Sequence, residues 1–199
     1  DIGYFDKTQG IVKMMRSNGY SAFEEEITWI DDFTLKGEDY SFQPGDFSGD
    51  GIVDPAIFNA FTQQSQIMFS HGDIFDLMKT IDNGRGGITT LKYRPSTEKS
   101  AYTPTLSAEQ LQSIPFILPL IYEASISDGM GNTTKIGYTF DGGKFETNSR
   151  EFRGFGVARV YDADGNIIEH FFRQYDKEVV DGEWEFKGKI YKKVIKDNN

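Results

Sequence analysis

Apolar and polar positions alternate along most of this chain, which is the spacing of strands that bury one face. "GYSAFEEEITWI" alternates over its length, and "DPAIFNAF" followed by "QSQIMFSHG" reads as two paired strands. Four such short strands before residue 75 predict one small antiparallel sheet, the size of a propeller blade, with edges that need a neighbour. Ile74, Leu77, Met78 and Ile81 have helical spacing but run into "NGRGG" and the alternating "ITTLKY", so periodicity leaves 74–82 open between helix and strand. "LSAEQLQSI" begins with a Ser-x-x-Gln capping box and predicts one short helix. "IPFILPL" then leads into a strand, its prolines suiting an edge or a lead-in better than a central position. From Thr134 the alternation is sustained through "TKIGYTF", "EFRGFGVARVYD", "NIIEHFFRQYD" and "WEFKGKIYKKVIK", with "DGG", "DADGN" and "DGE" as connections. The prediction is an all-β chain: a blade-like antiparallel sheet over 1–75, then an antiparallel β-meander over 76–199, with at most one or two short helices.

Composition narrows what such a chain can do. Its 199 residues suffice to bury a core, and 17 Phe, 10 Tyr and 21 Gly suit strands joined by glycine turns. The net charge of −10 disfavours nucleic acid and anionic membranes as partners, and points to divalent cations as small ones. No apolar run approaches the ~18 residues of a membrane helix, so no membrane insertion is expected. Without cysteine there are no disulfides, thiolate metal sites or cysteine nucleophiles. The chain opens on Asp1 with no signal-peptide pattern, which suggests a segment of a longer polypeptide.

Candidate chemistry concentrates in "GDFSGDGIVDPAIF". Asp46, Ser48, Asp50 and Asp54 carry side-chain oxygens at mostly alternate positions, and Ile52 can offer its carbonyl. Gly49 and Gly51 let the backbone wrap a small sphere. Hard oxygen ligands in this order suit Ca²⁺. The twelfth loop position is Ile57 where an EF-hand has glutamate, so this is no EF-hand. The alternative is a metal-free Asx turn, in which the carboxylates bond their own backbone. Three crowded carboxylates without a nearby Lys or Arg tilt the expectation toward the ion.

Other constellations are weaker. "NGRGG" lacks the Lys-Ser/Thr ending of a phosphate loop and reads as a hairpin turn. Asp162, Asp164 and Asn166 alternate oxygens, but a turn is the simpler account. His71 and His170 are the only histidines, with no G-x-S-x-G and no H-x-x-x-H to complete a triad or a zinc site. Glu24, Glu25, Glu26, Asp31, Asp32, Glu38 and Asp39 could supply a glycosidase pair, yet read as solvated faces. Arg150, Glu151 and Arg153 read as a lock between neighbouring strands. No enzyme is expected.

Three resemblances attach to these strings. "GDFSGDGIVDPAIF" resembles the FG-GAP/VCBS repeat, whose aspartate loop holds Ca²⁺ between the strands of a β-propeller blade; Ser48 stands where Asp or Asn is usual. "YDADGN" resembles a YD/Rhs repeat. Taken together, "DLMKTIDNGRGGITTLKYRPST", "IPFILPL", "ISDGMGN" and "SREFRGFGVARVYDADGN" are similar in order and wording to the middle region of toxin-complex B components and SpvB-type virulence proteins. That resemblance implies a structural role: a segment of a large secreted or surface-bound bacterial toxin, helping to form the propeller or shell that houses or delivers a downstream effector. It also implies other segments of the same toxin, or other toxin-complex subunits, as partners. The alternative is a cell-surface adhesion module whose aromatic sheet face contacts a glycan or receptor.

Overall fold

The computed structural model describes residues 2–31, 33–72, 74, 76–104, 114–174 and 188–197. All regular structure among them is β, in antiparallel sheets with one short parallel pairing, and none of it closes into a barrel. The chain divides into two units, Asp1–Asp73 and Ile74–Asn199. The expected helix over 106–114 falls almost wholly outside the described residues.

The first unit holds six short strands rather than the expected four, and they form two sheets rather than one. β1 (Ile2–Asp6), β2 (Ile11–Met15) and β3 (Ile27–Ile30) make the first; β4 (Tyr40–Phe42), β5 (Ala56–Asn59) and β6 (Gln64–Ile67) make the second. A three-stranded sheet needs a packed hydrophobic face to be stable. These two share one core: Val12 from the first and Ile57 and Tyr40 from the second are buried with Phe33, and Phe5, Trp29, Ile30, Leu35, Phe42 and Met68 pack around them. Phe5 meets Phe33 edge-on at 5.9 Å and lies roughly parallel to Phe42 at 6.4 Å, ring-centroid distances at which aromatic pairs attract. The predicted pairing of "DPAIFNAF" with "QSQIMFSHG" is the β5–β6 hairpin, in the register Ala56 to Ile67 and Asn59 to Gln64.

The second unit is a single eight-stranded sheet. Its strands are β7 (Thr80–Asp82), β8 (Ile88–Pro95), β9 (Tyr102–Thr103), β10 (Pro119–Ser127), β11 (Thr133–Glu146), β12 (Glu151–Tyr161), β13 (Ile167–Phe172) and β14 (Ile190–Lys196). Their spatial order is β14-β13-β12-β11-β10-β8-β7. β11 is longer than β10, whose last pairing in that direction is Glu123 with Gly137; beyond it β9 runs parallel to β11 at Phe140 and Asp141. Under that junction Ala101, Tyr102 and Leu120 are buried with Ile114, Leu118, Phe140 and Phe155 around them. The 74–82 ambiguity resolves to a β-hairpin over its last part: Thr80–Asp82 pair with β8 across "NGRGG".

Three hairpin loops share one construction. In Asn83–Gly87, Asp128–Asn132 and Asp162–Asn166 the first side-chain oxygen accepts the backbone N–H groups two and four residues on, at 2.7 to 3.1 Å. The first residue's own N–H returns to the carbonyl of the fifth, and the fourth is a glycine with positive φ. These are three-residue hairpin connections with a left-handed glycine, so the turn read at "DADGN" is a hairpin turn of this kind. "DGG" is not a connection at all. Asp141, Gly142 and Gly143 lie inside β11, where Gly142 has a positive φ of 61°, and the pairing with β12 shifts by one residue just beyond, between Gly143 and Phe145, with the extra residue on β12 next to Gly154 (φ 78°). The amide of Gln174 donates to the carbonyls of Gly142 (2.6 Å) and Gly154 (2.8 Å), tying the two strands together at the bulge.

Candidate functional site

The aspartate loop sits between β4 and β5 and is closed at its base by a two-way backbone pairing of Gly45 with Asp54, at 3.0 and 2.6 Å. Asp54 is fully buried under it. One carboxylate oxygen accepts the N–H groups of Phe47 and Ser48, both at 2.9 Å; the other accepts that of Ser70 at 2.8 Å. Burial pushes the Asp54 carboxyl up, but the three backbone donors, Ser70 first, outweigh it and hold the group below the usual carboxylate range.

Asp46 builds the rest of the loop. Its Oδ1 accepts the N–H of Gly49 (2.6 Å) and of Asp50 (3.1 Å), and its Oδ2 accepts that of Gly51 (2.8 Å). Asp50 Oδ1 accepts the N–H of Ile52 at 2.8 Å. Ser48 lies near Asp46, hydroxyl to carboxylate 3.4 Å. Gly49 and Gly51 both have positive φ, 77° and 87°, as a chain wrapping its own side chains requires. The five expected ligands are thus brought into one loop, but their carboxylates face backbone N–H groups in two nets, one around Asp46 and Asp50 and one around Asp54. Among the described residues no three acidic or histidine side chains are grouped to hold one ion. The Asx architecture accounts for the loop's shape by itself. One oxygen beside it has no bond: the hydroxyl of Ser70 is buried without a partner.

The other candidates do not assemble into chemistry. His71 is exposed in a connection of the first unit, and His170 lies in β13 of the second, opposite Ala158 and Lys193. Glu26 serves locally, accepting Tyr4 Oη at 2.8 Å and Lys13 Nζ at 2.9 Å. Asp32 lies outside the described residues. Arg153 sits 3.6 Å from Glu151 on the same strand. A second group of charges forms a row across four strands. Arg159 of β12 meets Asp141 of β11 at 2.5 Å and Glu169 of β13 at 2.8 Å, and Glu169 also takes Lys196 of β14 at 2.8 Å. Lys196 and Arg159 hold the buried Glu169 carboxyl low, against the opposing pull of burial. Sequence reading missed this row although its trace is there, because Arg159 and Glu169 stand five residues either side of Asp164, the middle of a hairpin loop.

Loop and sheet together match a known protein family, described as the insecticide toxin TcdB middle/N-terminal region, over residues 18–176. The chain belongs to that family. Solved structures agree on the fold. The TcdB family chain is similar to a Photorhabdus luminescens Tc holotoxin pore structure, with a TM-score of 0.67 and 14% identity, over 97% of this chain and 12% of that one. It is also similar to TcdB2–TccC3 without its hypervariable C-terminal region, with a TM-score of 0.61, 16% identity, and coverage of 82% and 9%. A TcdB2–TccC3–Cdc42 crystal structure matches with a TM-score of 0.59 at 16% identity, over 86% of this chain and 9% of that one. The chain therefore spans about a tenth of the length of the structures it matches. No curated protein sequence matches it.

Proposed function

We propose that this TcdB middle-region segment is non-enzymatic wall material of a large secreted toxin. In this reading the first unit is a blade-like element of the FG-GAP kind, and the second contributes Rhs-type strands to a shell that houses or delivers an effector carried elsewhere in the toxin. The observation that carries this is the eight-stranded sheet: long antiparallel strands, an internal charge row and repeated Asp/Asn-x-x-Gly hairpins make a stiff surface. The family match across most of that sheet supports the same reading. Its partners are then other segments of the toxin and other toxin-complex subunits. Electron microscopy of the natural full-length protein tests it. The expected result is this segment in the wall of a hollow β-structure; a freely hinged appendage would overturn the reading.

Calcium stabilisation of Asp46, Ser48, Asp50, Ile52 and Asp54 is a separable proposal. It needs Asp46 and Asp50 to share their oxygens between backbone N–H groups and an ion, and it draws support from the hard oxygen donor set. Ion binding at ~100 Kd would add about 2.7 kcal/mol to stability. The melting temperature should then be higher in calcium than in chelator, and Asp50→Ala should abolish the difference. Equal melting curves would remove it. A second reading, adhesion to a glycan or receptor, rests on Tyr20 and Phe61, rings almost fully exposed in the first unit. It expects saturable binding on a glycan array.

A further inference from the structure

We propose that Asn83, in the hairpin loop between β7 and β8, is a self-modifying site. Its side-chain amide is lost to the main-chain nitrogen of Gly84, through a cyclic imide that water opens to aspartate or isoaspartate. A hairpin of this kind is equally served by aspartate at its first position, as Asp128 and Asp162 show in the sister loops, yet this one holds asparagine. Asparagine followed by glycine occurs twice in the sequence, at Asn18–Gly19 and Asn83–Gly84. The glycine matters because it has no Cβ to keep its nitrogen from the neighbouring side-chain carbonyl.

The loop arranges three groups around that step. The nucleophile is Gly84 N, whose N–H donates to Asp82 Oδ1 at 2.8 Å, so a carboxylate stands where the departing proton must go. The electrophile is Asn83 Cγ. Its Oδ1 accepts the N–H groups of Arg85 at 2.8 Å and Gly87 at 3.0 Å, two fixed donors for the negative charge that collects on the oxygen during attack. The leaving group is Nδ2, which lies over Gly87; a Cβ on Gly87 would collide with it. Residues 82–86 are exposed and nothing would crowd a Cβ on Gly84, so water reaches the ring.

Gly84 N bonds to Cγ as its proton passes to Asp82; the oxyanion re-forms the carbonyl, and the Cγ–Nδ2 bond breaks with Nδ2 taking that proton away as ammonia. Water then adds to one imide carbonyl and the ring C–N bond breaks, returning a proton to nitrogen. The net change is water in and ammonia out. Opening at Cγ leaves aspartate, which accepts the same pair of N–H bonds in the sister loops. Opening at the main-chain carbonyl leaves isoaspartate, whose extra main-chain carbon displaces Gly86 from its close approach to Gly129. Asn18 is the control that the molecule supplies. Its Oδ1 also accepts main-chain N–H groups, from Tyr20 at 2.9 Å and from Ser21 and Ala22 at 3.3 Å. The N–H of Gly19, however, donates to a hydroxyl, Ser17 Oγ at 3.1 Å, which is no base at neutral pH. The chemistry depends on the loop alone, whatever the rest of the toxin builds.

The test is peptide mapping by mass spectrometry of the natural full-length protein, kept folded at neutral pH and scored over time for amide-to-acid conversion at both sites. Conversion at Asn83 should run about tenfold or more ahead of Asn18. The two rates should converge in protein denatured by urea, where only the shared asparagine–glycine pair remains. Asp82→Ala should slow Asn83 about tenfold and leave Asn18 unchanged. If that variant does not fold, the comparison of folded with denatured protein decides by itself. Asn18 level with or ahead of Asn83 in the folded protein overturns the proposal, as does no conversion at Asn83. So does a lead that persists in urea, or a folded Asp82→Ala variant that converts at the original rate.

Discussion

Asp54 ties two separate stretches of the first unit together. It is buried, charged and bonded by three main-chain N–H groups from two separate stretches, 47–48 and 70. Asp54→Ala leaves those donors unsatisfied and should cost about 3 kcal/mol, measured by urea denaturation of the first unit's transition. Its carboxyl ionises more readily in the folded chain than in the unfolded one. The stability it contributes is therefore full above the unfolded value of about 3.9 and is lost as pH falls through the lower folded value. Melting temperature followed from pH 7 down to 2 should drop on that acid limb, and Asp54→Asn should flatten the drop. Gly129 makes the matching point in the second unit. Its φ is +75°, and a Cβ there would stand 2.5 Å from the carbonyl oxygen of Gly86 in the neighbouring loop. Gly129→Ala should destabilise by about 2 kcal/mol, since main chain cannot yield as a side-chain tip would; thermal denaturation with Gly131→Ala as comparison checks it.

Among the elements, β11 to β14 are held in register by the row Asp141–Arg159–Glu169–Lys196. Removing its buried centre strands a guanidinium between Asp141 and empty space, so Glu169→Ala should cost about 3 kcal/mol or more. A double-mutant cycle of Glu169→Leu with Arg159→Met should recover part of that loss, because the guanidinium no longer stands beside a missing carboxylate, while Asp141 and the exposed Lys196 still lose their partners. The elements were legible wherever alternation was strong. β5 with β6, β8, and β10 to β13 fall where the pattern predicts them, and "NGRGG" is the hairpin turn it reads as. Legibility failed where glycine carries two meanings. "DGG" has the composition of a turn, yet it lies inside β11, where Gly142 packs close to Gly156 of β12 and Gln174 bridges the carbonyls of Gly142 and Gly154.

For the molecule as a whole, a net charge of −10 goes with a last strand, β14, that holds lysine and no acidic residue. The six short strands of the first unit divide differently from their pattern. A blade-sized sheet was expected, but Val12 and Ile57 come from different sheets and need each other to be buried. The sequence alone settled what local rules control: strand character, because alternation is a property of neighbours along the chain, and the loops, because an Asp or Asn reaches its own backbone two and four residues on. Membership of the toxin family was legible for the same reason, through strings such as "REFRGFG" and "YDADGN". Only the tertiary structure decided which strands share a sheet, where the charge row runs, and that the loop aspartates face backbone N–H groups. Those outcomes depend on residues far apart in sequence meeting in one register, and no spacing along a single chain encodes that meeting.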